Sequence, residues 1–155
     1  MKKILITGGL GYIGSHTVTK VIENGYEPII VDNLSNSKRS VHQKLEKIAG
    51  RSIEFYEADL SNKKVLEIMF SEHEITSVIH FAAFKAVGES MEKPLKYFSN
   101  NITPMINLLE SMNKFECKNF IFSSSCTIYG QPNSIPVGED AETVSYTHLR
   151  AHETS

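Results

Sequence analysis

The chain has no tryptophan, only two cysteines and five prolines in 155 residues, and its charges nearly cancel, 16 Lys and Arg against 18 Asp and Glu for a formal net charge of -2. Each shortage excludes something. Cys117 and Cys126 form no C-x-x-C pair, so a disulfide framework is excluded and both read as packing or exposed thiols in a reducing setting. The six histidines are scattered without an H-E-x-x-H pair or its equivalent, and no metal site is readable. There is no basic stripe of the kind a nucleic-acid backbone requires. No apolar run approaches the roughly 18 to 20 residues that cross a bilayer, and the opening "MKKILITGG" is too short in apolar residues for a secretory signal. Neither membrane nor nucleic acid is expected as a partner, and a cytoplasmic setting fits.

What is present is 41% apolar sequence arranged in short runs, enough for one domain with a core. Runs rich in Ile, Val and Phe recur at 3–7 (KILIT), 27–32 (EPIIVD), 52–58 (SIEFYEA), 77–83 (SVIHFAA) and 118–124 (KNFIFSS). Their near-continuous apolarity predicts strands buried on both faces, as in a parallel sheet. Between them lie helical patterns. Ile13, Val18, Val21 and Ile22 end at Gly25, and Val41, Leu45 and Ile48 end at Gly50, glycine being a common helix stop. A third helix follows Ser61 as N-cap with Val65, Ile68 and Met69 inward, and a fourth carries Ile102, Met105, Leu108, Leu109 and Met112 on one face. Pro104 either opens that fourth helix or kinks it, since its ring nitrogen cannot donate to the carbonyl of residue 100. The alternation predicts an α/β fold, a doubly wound parallel sheet of order 3-2-1-4-5.

Residues 7–16, "TGGLGYIGSH", place four glycines within seven residues between the first strand and the first helix. Glycine is disfavoured in regular structure by roughly 0.5 to 1 kcal/mol, so such a cluster points to a backbone that goes where a Cβ cannot. Gly8, Gly11 and Gly14 follow T-G-x-x-G-x-x-G, and Gly9, Gly11 and Gly14 also satisfy G-x-G-x-x-G. Either pattern alone is weak, but between a strand and a helix its N–H groups can face a pyrophosphate. Asp32 ends the second strand eighteen residues after Gly14, where a carboxylate reaches an adenosine ribose, accepts from its hydroxyls and repels a 2′-phosphate. That favours NAD over NADP. Lys38 and Arg39 would pull the other way, and they read as the exposed start of the second helix.

These residues resemble the extended short-chain dehydrogenase/reductases and, within them, the UDP-glucose 4-epimerase family. The likeness runs from residue 2 to about 140 and rests on "TGGLGYIGSH", "VDNLSNSKRSV", "ADL", "VIHFAAFKAVGES", "YFSNN" and "FIFSSSCTIYGQP". It implies a Rossmann domain that holds NAD. Tyr12 and Ile13 would lie along the pyrophosphate; Asp32, Asn33, Leu34, Ser35, Asn36 and Ser37 would surround the ribose; Asp59 and Leu60 would flank adenine. Phe81, Ala82, Ala83 and Lys85, ending the fourth strand, would line the cofactor, and Asn100 would position it with an active-site water. Ser125 matches the family's catalytic serine, a proton relay between the sugar 4-OH and a tyrosine. The related 4,6-dehydratases need an Asp/Glu pair where this chain has Ser125, Cys126 and Thr127, so elimination is disfavoured against epimerisation. The implied substrate is a UDP-hexose, and the complete protein of such a family is a homodimer.

The family's Tyr-x-x-x-Lys pair is not found. The chain reads "AETVSYTHLRAHETS" instead, where Tyr146 and Arg150 have the spacing but lack the Pro-Tyr-Gly context, and arginine does not replace lysine at a tight cofactor contact. Tyr146 is therefore not assigned a catalytic role. The expectation is a cofactor domain over residues 1–143, followed at 144–155 by a tail foreign to the fold, with no substrate domain and no activity in the chain alone. A non-catalytic dinucleotide-binding or redox-sensing protein, or another sugar-nucleotide epimerase or dehydratase, is the alternative.

Overall fold

In the computed structural model, residues 1–130 and 134–143 are described. Five strands alternate with helices: β1 (Lys3–Thr7), α1 (Tyr12–Glu23), β2 (Glu27–Asp32), α2 (Arg39–Ala49), β3 (Glu54–Glu57), α3 (Lys63–Glu72), β4 (Ile75–His80), α4 (Val87–Glu92), α5 (Pro94–Lys114) and β5 (Asn119–Phe122), then a 3-10 turn at Cys126–Tyr129. The strands form one sheet in the order β3-β2-β1-β4-β5, every pair parallel, as the alternation predicts.

Side chains alternate across each strand, so one apolar run feeds two cores. Leu5, Ile29, Val31 and Val78 point to one face and meet Leu66, Met69 and Phe70 of α3 and Leu108 and Met112 of α5. Ile4, Ile6 and Ile30 point to the other and meet Val18 and Val21 of α1 and Leu45 of α2. The result is a helix layer on each face.

Several boundaries and faces differ from the sequence reading. Strand β4 begins at Ile75 and ends at His80, so Phe81–Ala83 lie outside it; β1 ends opposite, with Thr7 paired to His80. Strands β3 and β5 are likewise shorter than their apolar runs, ending at Glu57 and Phe122. Asn62, not Ser61, stands at the N-cap of α3, without a side-chain bond, and the Ser61 N–H donates to Asp59 Oδ1 at 2.8 Å. Ile13, Ile48, Ile68, Ile102 and Leu109, expected inward, are exposed. Leu108 and Met112 are buried as expected, and Tyr97, Pro104 and Ser111 complete the buried face of α5. Pro104 neither starts a helix nor ends one; α5 runs through it, and the helix starts at Pro94, a first-turn position that needs no N–H partner. The short α4 has no counterpart in the sequence reading.

Candidate dinucleotide site

All five strands point their carboxyl ends to one sheet edge, and the residues singled out by sequence gather there, where open α/β sheets place ligands. After β1 the chain turns sharply at Gly8, whose φ of +66° belongs to the left-handed region and whose missing Cβ would stand 2.9 Å from Ala82 N. A Cβ on Gly14 would run into the Gly8 carbonyl oxygen and stand 2.9 Å from Gly9 Cα. Both glycines are thus required by close backbone approach, which lets α1 begin directly above the loop. The Gly8 N–H donates to Val31 O at 2.9 Å, and Gly11 N–H donates to Gly8 O at 3.1 Å.

The N-cap of α1 is Gly11; no side chain caps it, and no acidic residue occupies its first turn. Helical geometry gives Tyr12, Ile13 and Gly14 N–H no partner within the helix. Their donors face outward at the positive end of the helix dipole, beside the exposed side chains of Tyr12 and Ile13.

Asp32 closes β2 and is 9% exposed. Its Oδ2 accepts from the Leu10 N–H at 3.1 Å, tying the glycine loop to β2. Its Oδ1 accepts from the Leu34 N–H at 2.9 Å and the Ser37 hydroxyl at 2.8 Å. A carboxylate has about four acceptor positions, so these three bonds leave one on Oδ2 for an outside hydroxyl. The loop that follows is held by its own polar groups: the Ser35 N–H donates to Asn33 Oδ1 at 3.1 Å, and Leu34 takes a φ of +58° to lay its side chain on the core. Ser35 and Asn36 are exposed. Asn33 Nδ2 reaches Asp59 Oδ2 at 2.8 Å, which joins the loop to the segment after β3. Hydrogen bonding by Ser61, and less by Asn33, holds the Asp59 carboxyl below its ordinary range. Leu60 beside it is buried.

On the other flank of β1, the Phe81 N–H donates to Thr7 O at 3.0 Å and the Ala82 N–H to Thr7 Oγ1 at 3.4 Å. The Thr7 hydroxyl lies 2.7 Å from His80 Nδ1, both side chains being buried. The two side chains share one hydrogen bond, its direction set by the imidazole tautomer. Burial pushes His80 down to about 4, so the ring is neutral near pH 7. Phe81 and Ala82 are half-buried, whereas Ala83 and Lys85 are exposed. Asn101 clamps the following backbone to α5: Phe84 N–H donates to its Oδ1 at 2.8 Å, and its Nδ2 donates to Phe84 O at 3.0 Å. Asn100 donates to Asn101 Oδ1 at 3.0 Å and so supports the clamp. Ser125 is exposed beyond β5, its carbonyl accepting from the Ile128 N–H at 3.3 Å. Tyr146 and the rest of 144–155 lie outside the described residues.

The structure therefore brings Gly8 to Gly14, Asp32 to Ser37 and Asp59 into one bonded network, with Phe81 and Ala82 against its glycine turn. Sequence reading missed Thr7, His80 and Asn101. A histidine inside the apolar run "SVIHF" was the available signal, because a buried ring nitrogen requires a partner. Among the described residues no cluster of His, Cys, Asp or Glu could hold a metal, and no helix is long and apolar enough to cross a membrane. An open hollow of about 500 Å³ lies at the other end of the sheet, between the close of α3 and the start of β4, away from these groups.

The sheet order and the glycine turn define the doubly wound Rossmann class. The NAD dependent epimerase/dehydratase family matches residues 4–155, and the chain belongs to that family. It is 52% identical over 138 residues to the UDP-glucose 4-epimerase of Dictyostelium discoideum, covering 89% of this chain, and 49% identical over 137 residues to that of Bacillus subtilis, covering 88%. It spans 40% of the length of each of these two relatives. Among solved structures it is similar to the UDP-glucose 4-epimerase of Bifidobacterium longum in complex with NAD+ and UDP, with TM-score 0.87 and 38% identity over 99% of this chain and 46% of that one. The enzyme from Stenotrophomonas maltophila, with bound NAD and formylated UDP-arabinopyranose, gives TM-score 0.86 and 39% identity, covering 99% and 45%.

Proposed function

We propose that this chain is the NAD-binding part of an enzyme that interconverts UDP-glucose and UDP-galactose, residues 1–143 forming the cofactor domain. The observation that supports it most is the uncapped first turn of α1, packed onto the glycine loop and set beside the buried Asp32 carboxylate. Open N–H donors suit a pyrophosphate, and a carboxylate with an acceptor position left suits a ribose diol. The residues thus fit a dinucleotide. Likeness to epimerases that bind NAD supports the choice of cofactor.

In this reading the backbone of Gly8, Gly11, Tyr12, Ile13 and Gly14 holds the pyrophosphate, and Asp32 through Ser37 hold the adenosine ribose. Asp59 accepts from the adenine amine while Leu60 covers the ring. Phe81, Ala82, Ala83, Lys85 and Asn100 line the nicotinamide half. NAD, when bound, supplies the hydride acceptor and donor for C4 of the hexose. Ser125 relays the proton of the 4-OH; the phenol that takes it is not assigned within residues 1–143. The complete protein acts in the cytoplasm as a homodimer. Supporting the dimer, α5 exposes Leu95, Phe98, Ile102, Ile106 and Leu109 at steps of three and four residues, an apolar stripe on one side of the helix.

Titration of the chain with NADH tests the binding half: a saturable rise in NADH fluorescence is expected, and its absence in a sample whose circular dichroism shows a folded α/β protein overturns the reading. Extending the source gene beyond codon 140 and assaying the longer product on UDP-galactose tests the activity. A longer product that binds NADH and forms no UDP-glucose sinks the epimerase assignment while leaving cofactor binding intact.

A further inference from the structure

Arg39, the first residue of α2, has two holds on the neighbouring strand β3. Its Nη1 lies 2.5 Å from Glu57 Oε2, and its guanidinium carbon stands 5.7 Å from the centre of the Phe55 ring. The sheet register explains why Glu57 is available. Strand β3 pairs with β2 so that Glu57 stands directly opposite Asp32, and neighbouring strands are only about 4.8 Å apart. The carboxylate that meets the ribose and the carboxylate that meets Arg39 are thus side by side on one edge. Arg39 itself follows, by two positions, the Ser37 whose hydroxyl bonds Asp32.

An arginine next to this ribose is the group that accepts a 2′-phosphate in dinucleotide-binding folds of the other preference. Here such an arginine is present, and a second acid holds it elsewhere. We propose that Glu57 is a specificity-determining residue: by pairing with Arg39 it keeps the guanidinium from the 2′ position, so that the negative charge of Asp32 alone meets a 2′-phosphate. This deepens the cofactor reading above and rests on it. Phe55 contributes the second hold, its ring face attracting the planar cation. Once Glu57 loses its charge, Arg39 is released toward either of two neighbours. Toward a 2′-phosphate it adds attraction; toward Asp32 it cancels repulsion. Both outcomes favour NADPH.

The test is the ratio of the NADPH and NADH dissociation constants, measured by fluorescence titration of the 155-residue chain at low salt. A general loss of packing moves both constants together and leaves the ratio in place. In Glu57→Gln the ratio is expected to fall about fivefold, the scale of one exposed ion pair. In Glu57→Gln combined with Arg39→Gln it is expected to return to the wild-type value, because the gain runs through Arg39. A ratio unchanged within about twofold in Glu57→Gln overturns the inference, and so does a gain that survives the loss of Arg39, which would be the field of one missing charge. Absence of saturable NADH binding by the folded wild-type chain overturns the cofactor reading and this inference with it, whereas saturable NADH binding with an unmoved ratio overturns this inference alone.

Discussion

The two flanks of β1 reach the same sheet edge by different means. Toward β2, the edge is stitched by a carboxylate: Asp32 takes the Leu10, Leu34 and Ser37 donors, and Asn33 passes the network on to Asp59. Toward β4, the polar link is the hydroxyl–imidazole pair of Thr7 and His80, neutral and shut away from solvent. The first flank gathers its bonds on a carboxylate, beside the uncapped first turn of α1. The second keeps its polar atoms for holding the strand end in place, and further out β5 leaves Ile121, Phe122 and the Ser123–Ser125 segment exposed. Charged and neutral bonding are therefore divided across a single strand.

The largest expected effect breaks the comparison on its neutral side. At pH values above 6.5 His80 is uncharged whether the chain is folded or not, and its burial leaves stability at full value. Between pH 6.5 and about 4 the unfolded chain binds a proton that the folded chain excludes, so stability falls with pH by on the order of 3 kcal/mol; below about 4 this contribution is constant. Urea denaturation from pH 7.5 to pH 4 measures it, and His80→Phe is expected to flatten that part of the curve. An equal slope in the variant would place the titration on another group.

A smaller effect falls on the β2 flank. Gly14→Ala drives a methyl group into the Gly8 carbonyl, and overpacking of this kind costs about 2 kcal/mol, or about 4–8 °C in Tm. The same substitution is expected to weaken NADH binding at least about tenfold, since the displaced turn carries the open donors. Loss of stability with unchanged NADH affinity would separate the loop from the cofactor. The smallest effect sharpens the comparison away from both flanks: Leu109→Ala on the exposed face of α5 is expected to change stability by less than about 0.5 kcal/mol in dilute solution, where buried Leu108→Ala costs about 3 kcal/mol. Scanning calorimetry at low and high protein concentration reads both, and a larger Leu109 effect that grows with concentration would report self-association through the stripe.

Strands β1 and β2 match their apolar runs residue for residue. For β4 the run is misleading: "FAA" is apolar enough for a strand, but strand length is set by the neighbour, and β1 stops at Thr7. Helix faces were less legible. Ile68 and Leu109 fit a helical period as well as Leu66 and Leu108 do, and what decides between them is the direction of the sheet, which local sequence does not encode. The six residues of α4 are too few for periodicity to register. At the site, glycine spacing and Asp32 were readable because each has a local backbone reason. The links between segments were not, since Leu10 to Asp32, Thr7 to His80 and Asn101 to Phe84 join residues 17 to 73 positions apart in the chain.

The Asn101 amide has a consequence in the time domain. With one side chain donating to and accepting from the Phe84 backbone, it acts as a one-residue strand belonging to a helix. The Phe84 amide is therefore sheltered from hydrogen exchange by α5, not by the sheet, and its exchange rate is a clock for how often that helix lets go of the strand end below it.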